Sequence, residues 1–175
     1  YAIVGQTSEA IQRIFEYKQR SFNKPCGCFG SLEMFKELIQ FTAEQLEFVE
    51  AITLDANFPL SIVGRYDPDH PIMKNADPFV LKNASKSGTI DLLMNAGPIH
   101  NEIARLALKS GKGVFGSSAN MSLSGSKYDF NDDILLISIH HSETNLNHIF
   151  YKKLQNNVLF IDFPAAVSYT HLRAH

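Results

Sequence analysis

The sequence predicts a mixed α/β fold, a twisted sheet with helices packed on it, and three observations predict it. Short apolar runs bounded by glycine, proline and polar residues alternate with stretches of helical apolar spacing, the pattern of a mixed sheet with covering helices rather than a bundle or a sandwich. The chain has 175 residues, 45% of them hydrophobic, enough for one core of ordinary size. Its longest apolar runs, at 134–139 and 158–160, are too short to cross a bilayer.

Residues 1–4 read as the end of a strand. Thr7 or Ser8 then caps a helix whose apolar positions Ala10, Ile11, Ile14, Phe15 and Tyr17 have helical spacing, ending near 18–20. Pro25, Gly27 and Gly30 make the segment 21–30 a loop. A second helix, 32–41, starts at Ser31, and a third starts at Thr42, which forms a capping-box pattern with Gln45 ahead of Leu46, Val49 and Ile52. LSIVG, 60–64, is a strand, and 65–78, broken by Pro68, Pro71 and Pro78, is a polar loop or flap. TIDLLMNAG, 89–97, is a strand running into a turn, followed by a helix through Ile103, Leu106 and Ala107 to Ser110. GKGVFG, DILLISI and NVLFIDF complete the set of strands.

Net charge is −2 with a pI near 6.4, which excludes a protein held on nucleic acid or anionic lipid by bulk electrostatics, though not a local basic patch. Two cysteines, Cys26 and Cys28, do not form the framework of a small secreted domain; together with the absence of a signal-peptide pattern they predict a cytoplasmic protein. The chain opens at Tyr1 without an initiator methionine, so an N-terminal part is expected to be missing. VSYTHLRAH, 167–175, matches the translation of a sequencing adapter in one frame and is excluded from the expected fold.

The segment GSSANMSLSG, 116–125, combines glycines and hydroxyls after a short apolar strand; its backbone N–H groups and serine oxygens suit an anion, and a surface turn is an equal reading. The glycine spacing from Gly111 to Ser117 imitates a P-loop, but Ser117 stands where that motif needs lysine, so the motif is rejected. Lys18, Arg20 and Lys24 gather three cations at the end of the first helix, a placement the helix dipole alone also favours. His100 and Glu102 imitate the His-x-Glu of zinc deaminases without its later cysteine pair, and His140, His141 and His148 have no metal-ligand spacing, so no metal site is expected. No serine lies in a nucleophile elbow, and covalent catalysis is not indicated.

The order YAIVG, EAIQRIFEYKQRSFNKP, FPLSIVG, TIDLLMNAGPI, GSSANMSLSG resembles the YrdC-like family, in which a Lys-x-Arg follows the first helix, a Pro-x-Thr strand comes next and a Ser-Ala-Asn loop comes later. The likeness runs from about Tyr1 to Gly125, and residues 1–166 are expected to form such a domain, incomplete at both ends, with a concave basic face. The resemblance implies a threonylcarbamoyl-AMP synthase, a nucleotidyltransferase that joins ATP, L-threonine and bicarbonate for modification of tRNA, with Mg2+ entering on the ATP. By matched motif, Lys18, Arg20 and Lys24 hold ATP phosphates, Ser118 and Asn120 hold nucleotide or threonine groups, and Tyr1 and Ser61 border the threonine.

One position departs from the family pattern. Synthases carry Arg-x-Pro where this chain has Leu93-Met94-Asn95, so a guanidinium able to grip a carboxylate or phosphate at two points is lost. The alternatives are a YrdC-like module that binds double-stranded RNA or tRNA without catalysis, through shape and phosphate contacts, and a domain that senses a nucleotide.

Overall fold

The computed structural model describes residues 2–19, 21–118 and, as backbone only, 159–161. The described residues form a mixed α/β arrangement. Strand β1 (Ala2–Gly5) leads to α1 (Ser8–Tyr17), whose N-cap Thr7 accepts a hydrogen bond from the Ala10 N–H. Strand β2 (Gly27–Phe29) is followed by α2 (Leu32–Leu38), capped by Ser31, and α3 (Ala43–Glu50), where Thr42 and Gln45 make the expected capping box. A π-helical turn, Ala51–Asp55, continues α3 before β3 (Leu60–Arg65). Then come α4 (Pro71–Lys74), α5 (Pro78–Ala84), β4 (Ser85–Lys86), β5 (Thr89–Met94), α6 (Pro98–Ser110), β6 (Phe115–Ser118) and β7 (Leu159–Ile161).

The strands make one sheet in the order β3-β5-β2-β6-β1-β7, with β4 also pairing with β5. The β2–β5 pair is parallel and the other pairs are antiparallel. Alternation divides the side chains between two faces. Ile3, Cys28, Ile90, Leu92, Met94 and Phe115 join the main core with α1, α2, α4 and α5. Ala2, Val4 and Phe29 point the other way and pack with Ile99 and Ile103 of α6 and with Val114. Gly116 stands where β1 and β6 cross closely, and a Cβ there would collide with the Ile3 carbonyl and the Val4 backbone. Gly111, at φ 65°, supplies the left-handed residue that ends α6.

Several expectations are corrected. The segment 21–30, read as loop, contains β2, because Cys28 and Phe29 supply one buried residue to each face. The segment 65–78, read as a polar flap, ends in α4 and the start of α5, and Ile72 and Met73 are core residues. Pro71 and Pro78 do not break these helices but start them, since a first-turn residue has no N–H bond to lose; His70 and Asp77 cap them. The second helix stops at Leu38 because Ile39 turns extended to bridge Tyr66. β6 lies later than GKGVFG, and Leu106 of α6 is exposed while Ala104 and Ala107 are buried. The apolar run at 134–139 lies outside the described residues.

Candidate functional site

Two places on one sheet gather the candidate residues. At the first, Lys18 is the C-cap of α1 and only 1% exposed, and its Nζ donates to the Ser118 carbonyl, 100 residues away at the end of β6. The chain turns sharply after it, with Gln19 at φ 46° and its N–H donating to the Glu16 carbonyl at 3.0 Å. A buried ammonium needs oxygen partners in place of lost water, and the Ser118 carbonyl is such an oxygen. Thus the cation that closes the first helix fixes the backbone where the Ser-Ala-Asn segment begins.

That segment is not all loop: Gly116, Ser117 and Ser118 belong to β6, with Ser118 opposite Ala2. Because Gly27 pairs with Gly116, the N-terminal end of β2 and the C-terminal end of β6 lie side by side at one end of the two central strands. Lys24, exposed, stands three residues before β2 in a turn closed by its N–H on the Ser21 carbonyl at 3.1 Å. Cys26 anchors the same loop by donating its N–H to the Asn83 carbonyl at 2.8 Å. The Lys24 loop therefore leads into the strand that runs beside the Ser118 end of β6, where Lys18 is held. Tyr1, Arg20 and Asn120 lie outside the described residues.

Ser61 is elsewhere. It is exposed on β3, three strands from β6, about 14 Å across the sheet at the usual strand spacing, though on the same face as Ser118. Ser61 pairs with Leu93, the position where the resemblance expects arginine, and its Oγ donates to Asp91 Oδ1. Asp91 was not singled out by the sequence; the signal was a carboxylate at an alternating position of an apolar strand, a type depleted in strands.

Asn95 is a structural staple. Held at φ 54°, it donates from Nδ2 to the Thr53 carbonyl at 3.1 Å and Asn57 Oδ1 at 3.0 Å, and its Oδ1 accepts from Asn101 Nδ2 at 3.0 Å. It joins the turn after α3 to the start of α6.

His100 of α6 is fully buried against Phe29, ring centroids 4.5 Å apart, and burial lowers its pKa below the ordinary imidazole value. The Cys28 thiol is pushed up to about 12 by burial and then by the Asp91 carboxylate, which makes it a core residue rather than a nucleophile. Among the described residues no group of three or more His, Cys, Asp or Glu is placed to hold a metal, and no helix is long and apolar enough to cross a membrane.

No family model matches the chain, and no curated protein does. Solved structures do. The crystal structure of a hypothetical protein, smu.1377c, from Streptococcus mutans UA159 is 24% identical with a TM-score of 0.59, covering 68% of this chain and 48% of that one. The crystal structure of P. abyssi Sua5 complexed with L-threonine is 20% identical with a TM-score of 0.45, covering 67% of this chain and 31% of that one. The chain thus spans about half the length of the first protein and a third of the second. What the likeness to the Streptococcus protein establishes is the fold, a helix-flanked mixed sheet.

Proposed function

We propose that the chain is the nucleotide-binding part of a YrdC-like, threonylcarbamoyl-AMP synthase-like protein. The observation that carries the reading is the Lys18–Ser118 contact, which joins the two segments the resemblance rests on at the end of the central strand β6. In this reading Arg20 and Lys24 contact the ATP phosphates directly. Lys18, held from behind β6, contributes a fixed charge and holds in place the strand end from which Ser118 and Asn120 reach the nucleotide. The resemblance assigns Tyr1 and Ser61 to threonine; in this reading threonine lies beside Tyr1, and Ser61, on β3 across the sheet, stands apart from it.

The reaction needs no protein nucleophile. The threonine amine and bicarbonate form a carbamate with loss of one water, and a carbamate oxygen attacks the α-phosphorus; the bond to the bridging oxygen breaks and pyrophosphate leaves with its electron pair. In-line holding and neutralisation of charge do the work, and Mg2+ arrives with the ATP. Leu93 favours a second reading, a domain that keeps the nucleotide and has lost synthesis, since neither it nor Met94 carries the charge of the expected guanidinium.

Incubation with ATP, L-threonine and bicarbonate, followed by assay for threonylcarbamoyl-adenylate and pyrophosphate, separates the two. Product supports the synthase; ATP binding without product supports the second reading. Arg20→Ala and Lys24→Ala are expected to weaken ATP by about tenfold each, the scale of one charge-assisted contact. Unchanged affinity in both variants refutes this placement of the nucleotide. Binding to double-stranded RNA or tRNA is measured across salt, because phosphate contacts weaken steeply as salt rises.

A further inference from the structure

β3 is the outermost strand on its side of the sheet, and its two edges are used differently. One edge pairs with β5 over the whole of Leu60–Arg65 in unbroken register. The other is closed only at its C-terminal end. There the Gln40 N–H donates to the Arg65 carbonyl and the Asp67 N–H to the Leu38 carbonyl, both at 2.8 Å, around an antiparallel bridge between Ile39 and Tyr66. Backbone groups alternate sides along an antiparallel strand, so with the Arg65 carbonyl turned away from β5, Val63 and Ser61 turn their N–H and C=O groups outward too. Among the described residues no strand pairs with those four groups. At the N-terminal end Pro59 has no N–H to offer, and Asn57 at φ 52° turns the chain just before it. The free stretch is residues 60–64, bounded by a proline at one end and by Ile39 and Gln40 at the other. An open row of backbone groups recruits a further strand, and lysines, bulges or covering elements usually guard it. Here residues 56–64 carry no charge, Val63 is 71% exposed, and Leu54 and Phe58 stand exposed just before the strand.

We propose that β3 pairs with β3 of a second copy of this chain, antiparallel and centred on Ile62, so that two sheets join into one across a two-fold axis. The free stretch is its own complement. With Ile62 opposite the partner's Ile62, Ser61 meets the partner's Val63 and Val63 meets the partner's Ser61, and every outward N–H and C=O of residues 61 and 63 finds a bond. Sliding the register by two residues sets Val63 against Pro59, which has no N–H, or Ser61 against Arg65, whose carbonyl already accepts from Gln40. One register is left, and a two-fold pairing of like surfaces closes after two copies. The interface lies on β3, apart from Lys18 and Ser118, and stands whether or not the chain binds a nucleotide.

Sedimentation of the full chain over about a hundredfold range of concentration reads the association, and the mass is expected to pass from monomer to dimer and to stop there. Val63→Lys places on the exposed edge the charge that guards such strands, and is expected to weaken the dimer by about tenfold or more with the circular dichroism spectrum unchanged. Cysteine cross-linking reads the register. Ile62 faces its own copy at a non-hydrogen-bonded position, where Cα atoms stand about 4.5 Å apart, within the span of a disulfide. Under mild oxidation Ile62→Cys is therefore expected to link two chains about tenfold faster than Val63→Cys, although Val63 is the more exposed side chain. The parent, whose Cys26 and Cys28 are buried, gives the background. A monomer at every concentration, a dimer that Val63→Lys leaves as tight as the parent's, or Val63→Cys linking as fast as Ile62→Cys overturns the pairing.

Discussion

One face of one sheet is built in two ways. Over β1 and β2 it is roofed by α6, so that Ala2, Val4 and Phe29 lie against Ile99 and Ile103 and every side chain there is chosen for packing. Over β3 and β5 no described helix covers it, and Ser61, Val63 and Arg65 stand exposed beside Asp91 and Leu93. The strands are continuous across the two halves, so the difference lies in the roof and not in the backbone. The roofed half is where stability resides. The open half keeps Ser61, Val63 and Arg65 in contact with water, where a substitution costs less stability than one beneath a helix.

The largest effect expected from this contrast is at Val4, 1% exposed under α6. Val4→Thr keeps the branched shape and replaces a methyl with a hydroxyl that has lost its water. Burying a hydroxyl in this way costs about 2 kcal/mol, read as a shift in the midpoint of urea unfolding. A shift below about 0.5 kcal/mol means that α6 does not seal this half.

A smaller effect separates the halves by pH. His100 carries the roof onto Phe29, and burial holds its pKa below the ordinary 6.5. Between the lowered folded value and the ordinary one, the unfolded chain therefore binds more protons than the folded chain. The stability is fully present above pH 6.5 and declines as the pH falls from there toward the folded value. His100→Gln is expected to flatten the dependence of the unfolding midpoint below about pH 6.5. A slope equal to the parent's would place the titration elsewhere.

The helix starts were the most legible feature of the sequence, and the reasons are local. Thr7, Ser31 and Thr42 cap their helices as read, because capping depends on a few neighbouring residues. β2 was missed because three residues are too few to show alternation, and its strand character comes from β5 and β6, distant in sequence. Pro71 and Pro78 were misread because proline both breaks and starts helices, and only the buried Ile72 and Met73 decide between the two. The site divides in the same way. Lys18 and Ser118 were singled out as a cation and a serine, but their contact across 100 residues is tertiary and leaves no mark on either segment. Asp91 was passed over because it sits inside a strand pattern, and its partners Ser61 and Gly27 lie on two other strands.

The smallest effect is the counterpart of the first. Val63 lies on the same face as Val4 and is 71% exposed on β3, so Val63→Thr makes the same change of methyl for hydroxyl with water still at hand. Threonine also suits a strand, since it shares the β-branch of valine, and the hydroxyl is not desolvated. The unfolding midpoint is expected to move by less than about 0.5 kcal/mol. The informative reading is the difference between the two variants. If Val63→Thr costs as much as Val4→Thr, the β3–β5 face is covered in the folded protein. If it costs nothing while Val4→Thr costs about 2 kcal/mol, one substitution made twice has mapped where the roof ends.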